Sequence, residues 1–441
     1  MKHNPSLLVA ALLLLSATAW GQTRGGMPRA AFEWRCAEGD SQLNFNAAAT
    51  GERVFDSVPV FGEYTLVAVY QPLSDSESAV WRLDYGDSAA QALTTRRILA
   101  GATAIRYGDY ADRRPVIHTL RQSAPETDTP AVRLMLGDSN IKVAEVLYYD
   151  RRLGAAALRR VQSALALRYG VTLGPVDYLA GDGTRIWCPG RDSALFHHRV
   201  TGVGVDTVSG LRQLASRSEM EGGMVTLRAD SLAPGTFLVF GDNDAPLAFE
   251  AAADLFPGLG CEALARRWRV QATGEMENLY TLTFDTRDLP QPADSLVLLV
   301  DYDVYRPAAV TAEGVRFDHV FFPTDSSLFT LGRGAALWQT VGSRGHAGGQ
   351  AAMGDGADGT GGAETRLSLY PNPTTGSYTL EVTGSERVEV TIHDVRGRVV
   401  ASFSESGGDS HRFEGSLPSG NAYYATVTTD DGTRTLKLVV K

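Results

Sequence analysis

The chain has 441 residues, 41 of them Lys or Arg and 51 Asp or Glu, for a net charge of −10. At roughly 150 residues per domain this predicts two to four domains, and an acidic balance without a concentrated basic stretch excludes a general nucleic-acid binder. A hydrophobic content of 44% excludes a mostly disordered chain.

Lys2 and His3 precede an apolar run over 7–15 and a small-residue stretch over 16–21. The run is too short for a bilayer of about 30 Å. The three-part pattern predicts a secretory signal peptide over 1–21, cut after Gly21 or alternatively after Ala19. No cysteine adjoins the cut, so no lipid anchor is expected there. No run reaches ~18 apolar residues, so no transmembrane segment is expected. Cys36, Cys188 and Cys261 match no metal-binding spacing and read as small hydrophobes. Should the exported chain form a disulfide, Cys188–Cys261 is the pair within one domain.

Strand signals then follow at 42–46, 64–71, 79–86, 115–120, 131–137 and 141–149. A helix is expected over Ala155–Tyr169, with Leu158, Val161 and Leu165 on one face, Arg159, Arg160 and Arg168 elsewhere, and Gly170 as the left-handed C-terminal residue. A second β region runs from 174 to 341, with strands at 184–187, 224–229, 236–241, 266–273, 279–285 and 295–303. Nine of the 22 residues over 342–363 are Gly, and almost none is apolar, which predicts a flexible linker reaching to residue 366. In 367–441, strands at 377–382, 387–394, 398–403, 422–429 and 433–440 alternate with turn residues, the pattern of a small antiparallel sandwich. Val388, Val390 and Ile392 should face its core.

The tail resembles the C-terminal sorting domain of Bacteroidetes proteins exported by type IX secretion. The residues that carry the resemblance are LSLYPNPTTG (367–376), VTIHDVRGRVV (390–400), LPSG (417–420) and KLVVK (437–441). Within these blocks the motif residues are Tyr370, Pro371, Asn372, Pro373, Gly376, Asp394, Gly397, Arg398, Gly420, Lys437 and Lys441. Asn421-Ala422 makes one turn a residue longer than usual. The resemblance implies the type IX machinery as partner and a secreted or outer-membrane surface location. The segment 22–173 resembles a laminin-G or concanavalin-like jelly roll, through YTLVAVYQP (64–72), VAEVLYYDRRL (143–153) and ALALRYGVTL (164–173). The fold class expected is therefore mainly β and multidomain: a jelly roll with a terminal helix, a second β domain, and a C-terminal immunoglobulin-like sandwich.

Several groups have side chains suited to chemistry. Leu136-Gly137-Asp138-Ser139-Asn140 resembles the nucleophile turn of lipase-like esterases. No histidine follows an Asp by three residues, however, so a hairpin turn is expected there. A glycosidase needs two facing carboxylates, whereas Glu145 stands alone and Asp301 and Asp303 close a strand. His197 and His198 should point to opposite sides of a strand, which disfavours a shared metal. Asp242-Asn243-Asp244, with Asp138 and Asn140, could lend oxygens to calcium, although Asx turns account for them. Trp187 and Trp268 read as core, while Trp81 and Trp338 could stack on sugars. No catalytic residue and no cofactor is assigned. The function expected is non-enzymatic binding or adhesion to a glycan or matrix ligand; a surface hydrolase or esterase and a structural envelope component are the alternatives.

Overall fold

The computed structural model describes residues 26–86, 90–100, 103–106, 113–125, 130–192, 195–251, 262–289, 296–301, 303–312, 314–333, 365–370, 374–394, 399–418, 421–430 and 432–440. The expected signal peptide, most of the expected linker, and Cys261 and Trp338 lie outside the described residues. Cys36 and Cys188 are free thiols. The described chain is mainly β, with antiparallel sheets and the α-helix Ala155–Tyr169.

The first sandwich packs two six-stranded sheets. One is built around Glu63–Pro72 and Ile141–Tyr149, with Phe32–Arg35 paired to the latter. The other runs from Arg53–Pro59 through Ala131–Leu136 to Thr103–Arg106. Alternate residues Tyr64, Leu66, Ala68 and Tyr70 meet Trp81, Leu83 and Leu134 in the core. Each large apolar side chain such as Leu66 taken out of water contributes about 1.5–3 kcal/mol. The expected strand over 42–46 is instead a hairpin, Ser41–Leu43 turning into Asn46–Thr50. Asn44 and Phe45 both take positive φ, 47° and 66°, as a two-residue hairpin loop requires. Asn adopts that conformation readily, whereas Phe does not. The Phe45 ring is held by the guanidinium groups of Arg217 and Arg228, 5.4 and 4.8 Å from its centroid.

Strand Ile141–Tyr149 carries a bulge. Val143 pairs with Tyr70 and Glu145 with Val69, leaving Ala144 as the extra residue. Before it Ile141 and Val143 face the sandwich core; after it Val146 and Tyr148 do. The extra residue switches the parity, so Leu147 and Tyr149 join Ala144 on the outer face, beneath the helix. Without the bulge, period-2 geometry would aim Glu145 into the apolar core.

The helix ends as expected: Gly170 has φ 65° and its N–H returns to the Ala166 carbonyl. Val161, Leu165 and Tyr169 pack on Val67, Val69 and Leu147 of the first sandwich. Ala166 and Leu167 pack on Tyr178, Trp187 and Phe237 of the second. The hairpin tip closes the same seam. Asn44 donates from its amide to the carbonyls of Leu167 and Arg168 at 2.9 and 3.2 Å, and its side-chain oxygen accepts from Arg217 N–H at 2.7 Å. Asn46 adds a bond to the Arg168 carbonyl at 2.6 Å. Carbonyls that a helix C-terminus leaves unpaired are thus capped from elsewhere in the chain, and the two sandwiches are joined through the helix.

The second sandwich has a nine-stranded and a five-stranded sheet around Trp268, Phe284, Phe317 and Phe329. Trp268 stacks on Phe329 at 5.6 Å, a core position as expected. The tail is a three-stranded and a four-stranded sheet sharing one core, with Val388, Val390 and Ile392 buried as expected. A strand absent from the expectation, Ser410–Ser416, pairs with Ser377–Thr383.

Candidate functional site

Between the helix, the outer face of the first sheet and the N-terminal segment lies a cleft of about 820 Å³, lined among others by Arg29, Trp34, Arg35, Glu145 and Arg168, with Ser209 of the second sandwich at its rim. The bulge aims Glu145 into it, and its carboxylate is 1% exposed. Arg35, directly across the sheet from Glu145, donates from Nε to Oε2 at 3.1 Å and from Nη2 to Oε1 at 3.2 Å. Arg168 Nη1 reaches both oxygens, at 3.2 and 3.0 Å, and the Tyr169 hydroxyl donates to Oε2 at 2.8 Å. Two guanidinium groups therefore enclose one carboxylate, and half-exposed Glu33 takes a further bond from Arg35.

Arg168 was expected away from the apolar face of the helix. It lies seven residues after Val161, two turns on, and so returns to the buried side, where its side chain is 7% exposed. Its Nη2 is buried without a hydrogen-bond partner. Burial, and then the neighbouring Glu145 carboxylate, push the Tyr169 phenol far above its ordinary value, so the hydroxyl stays a donor. Burial works against the charge of Arg35, but attraction to Glu145 and hydrogen bonds with it outweigh that, and its guanidinium is held above its ordinary value. Trp34 is half-buried and, opposite Val146, turns toward the first core, meeting the cleft at the edge of the sheet, while Trp81, Trp187 and Trp268 are buried. The expected sugar-stacking role of Trp81 is thereby corrected: it is fully enclosed in the first core.

The turn 137–140 is not a hairpin, because Ala131–Leu136 and Ile141–Tyr149 belong to different sheets and the turn crosses between them. Asp138 accepts from the N–H groups of Ala79 and Asn140 at 2.9 and 2.7 Å, and Ser139 is exposed. Asp301 accepts from Leu328 N–H at 2.8 Å. His197 and His198 do not diverge: His197 precedes the strand His198–Asp206, outside its alternation, and the two rings lie 4.3 Å apart. Arg199 Nε donates to Asp242 at 2.7 Å, and Arg199 also pairs with Asp244, whose carboxyl that hydrogen bond holds below its usual range. These oxygens serve an arginine, and among the described residues no group of three His, Cys, Asp or Glu is arranged to hold a metal ion.

In the tail, Tyr370 is half-exposed and donates to Glu381 at 2.6 Å. The Gly376 carbonyl accepts from Leu417 N–H at 2.9 Å. Asp394 is buried, and Lys437 pairs with Tyr424 across two strands. Pro371, Asn372, Pro373, Gly397, Arg398, Gly420 and Lys441 lie outside the described residues. Residues 368–441 match the family described as the secretion system C-terminal sorting domain. The chain ends in a type IX sorting domain. That domain marks the protein as cargo of the type IX machinery, bound for secretion or the cell surface. Residues 157–320 match a domain of unknown function (DUF8202). This match begins inside the helix, in keeping with the helix's packing on the second sandwich.

No curated protein is similar in sequence. Among solved structures, a β-glucuronidase of Faecalibacterium prausnitzii is 11% identical with a TM-score of 0.14, covering 47% of this chain and 37% of its own. One of Bifidobacterium dentium in complex with coumarin-3-O-glucuronide is 12% identical with a TM-score of 0.14, covering 55% and 46%. The chain thus spans less than half of either, and likeness this slight bears on neither fold nor activity.

Proposed function

We propose that this type IX cargo is a non-enzymatic surface protein that binds or adheres through the cleft beside its helix, with a glycan or matrix polymer as ligand. The first sandwich is then a laminin-G or concanavalin-like module, and a signal peptide over 1–21 takes the chain across the inner membrane. The observation that carries the reading is the makeup of the cleft, about 820 Å³, where charged side chains on the outer face of the sheet adjoin the aromatic edge made by Phe32 and Trp34, whose rings turn toward the sandwich core on the same edge strand. Such a combination suits a polyhydroxylated ligand, which stacks on an aromatic ring and takes hydrogen bonds at its edges. A binding role is favoured over hydrolysis because Glu145 accepts from three donors at once and Glu33 is paired with Arg35. A general acid or nucleophile needs a carboxyl free to change its proton or form a bond.

The test is a glycan array probed with the mature chain, alongside product analysis of the bound sugars. Retention of intact glycans that weakens in Trp34→Ala supports the reading. Release of sugar or acyl groups would replace it with an enzyme, and an array without any retained glycan would replace it with a structural envelope role.

A further inference from the structure

We infer that the outer face of the five-stranded sheet of the second sandwich is a separate binding groove for a linear, uncharged glycan. It shares no lining residue with the cleft beside the helix and stands independently of it. Period-2 alternation sends Leu227, Leu282 and Phe317 into the core and turns their neighbours outward. One row of directly paired residues crosses the sheet: Arg217, Thr226, Thr283 and Arg316. The next row sets Arg228 beside Thr281, whose hydroxyl donates to Asp318 at 3.4 Å. Two hollows of about 460 and 440 Å³ lie on this face and share Thr283 and Arg316, so they make one groove. The groove follows the strand Tyr280–Asp285, about 17 Å of extended chain, which gives room for several sugar rings in line.

The charges of the groove specify a neutral occupant. Arg217, Arg287 and Arg316 are answered by Glu219, Asp285 and Asp318. Arg228 and Asp230 remain, one of each sign, and neither has an ion-pair or hydrogen-bond partner among the described residues. No excess charge draws in a polyanion, and the chain's net charge of −10 repels one. The hydrogen-bonding groups specify hydroxyls. The paired, half-buried hydroxyls of Thr226 and Thr283 also lack a partner among the described residues. Donors on Arg228, acceptors on Asp230 and hydroxyls that serve as either therefore face one groove. The threonine methyl groups and Leu279, 51% exposed, offer apolar contact between them. A sugar chain carries the same alternation of C–H and O–H groups. Arg228 is also preorganised, because its guanidinium lies over the Phe45 ring, 4.8 Å from the centroid.

The experiment is calorimetric titration of the mature chain with cellohexaose, mannohexaose, xylohexaose and laminarihexaose, and with hexagalacturonate as the anionic comparison. At least one neutral hexamer should bind, and more tightly than hexagalacturonate. Thr283→Val keeps the shape and removes one hydroxyl, and should weaken that binding about fivefold, the worth of one hydrogen bond. Arg228→Gln should weaken it at least about tenfold, as expected for a charged donor. Both side chains reach the surface, and an unchanged urea midpoint shows that each variant keeps its fold. Binding of none of the neutral hexamers overturns the inference, as does tighter binding of hexagalacturonate. Undiminished affinity in either folded variant overturns it too, since the bound hexamer then sits elsewhere on the protein.

Discussion

Replacing Glu145 by Ala tests whether the bulge and its ion pair hold the helix to the first sheet. The substitution removes a carboxylate that accepts from Arg35, Arg168 and Tyr169. Arg35 is 44% exposed and can turn to water, so its loss of a partner should cost little. Arg168 is 7% exposed and cannot, so a guanidinium is left buried and uncompensated. Breaking a buried pair from one side typically costs about 3–5 kcal/mol, and the orphaned Tyr169 hydroxyl adds about 1 kcal/mol. Glu145→Ala should therefore lower stability by about 4–6 kcal/mol. Glu145→Leu with Arg168→Met removes both charges and keeps the volume, and should recover more than half of that loss. Urea unfolding followed by tryptophan fluorescence reads both, with Trp34 and Trp81 reporting on the first core. A cost below about 1 kcal/mol for Glu145→Ala, or a double variant no better than the single one, would refute the claim that Arg168 is stranded without its carboxylate.

Asn44→Ala uncaps the Leu167 carbonyl, leaves that of Arg168 to Asn46 alone, strips Arg217 N–H of its acceptor and places alanine at φ 47°, and should cost about 2–4 kcal/mol by urea unfolding. Asn44→Gly, free of the conformational part, should cost about 1 kcal/mol less. Gly170→Ala should cost at least about 2 kcal/mol in thermal unfolding, because its φ is 65° and a Cβ would lie 2.4 Å from the Arg217 carbonyl oxygen. His118 is pushed down to about 4 by burial from an ordinary 6.5, so the unfolded chain binds a proton that the folded chain refuses. Stability is therefore complete above about pH 6.5 and falls as pH drops toward 4, by about 1–3 kcal/mol given a half-buried ring. His118→Gln should flatten that part of a stability-versus-pH profile. Deleting Leu367–Lys441 in a host with type IX secretion should leave a folded product in the periplasm on cell fractionation, and undiminished surface display would refute the role of the tail as the export address.

What the sequence determined by itself is the part of the protein governed by local periodicity and by short-range backbone preference. Val388, Val390 and Ile392 alternate with Glu389 and Thr391 and are buried as that alternation demands. Gly170 takes the left-handed residue at the helix end because glycine alone meets no Cβ penalty there. The tail's turn blocks likewise announce its family before any coordinates. The site is another matter, because each of its parts depends on a contact made far away in sequence. The bulge at Ala144 leaves the residue pattern of its strand unchanged yet reverses which face Glu145 joins, and only pairing with Val69 and Tyr70 shows it. Phe45 turns a chain that reads as a strand because Arg217 and Arg228, some 170 residues on or more, hold its ring in a conformation it would not take alone. Arg168 could have been placed by counting two turns from Val161, but its burial makes sense only opposite a carboxylate carried by a strand of the first sheet. Local sequence specifies strands, turns and the helix. Which charges become buried partners is decided by tertiary packing, because the cost of burying one can be offset only by another that the fold brings to it.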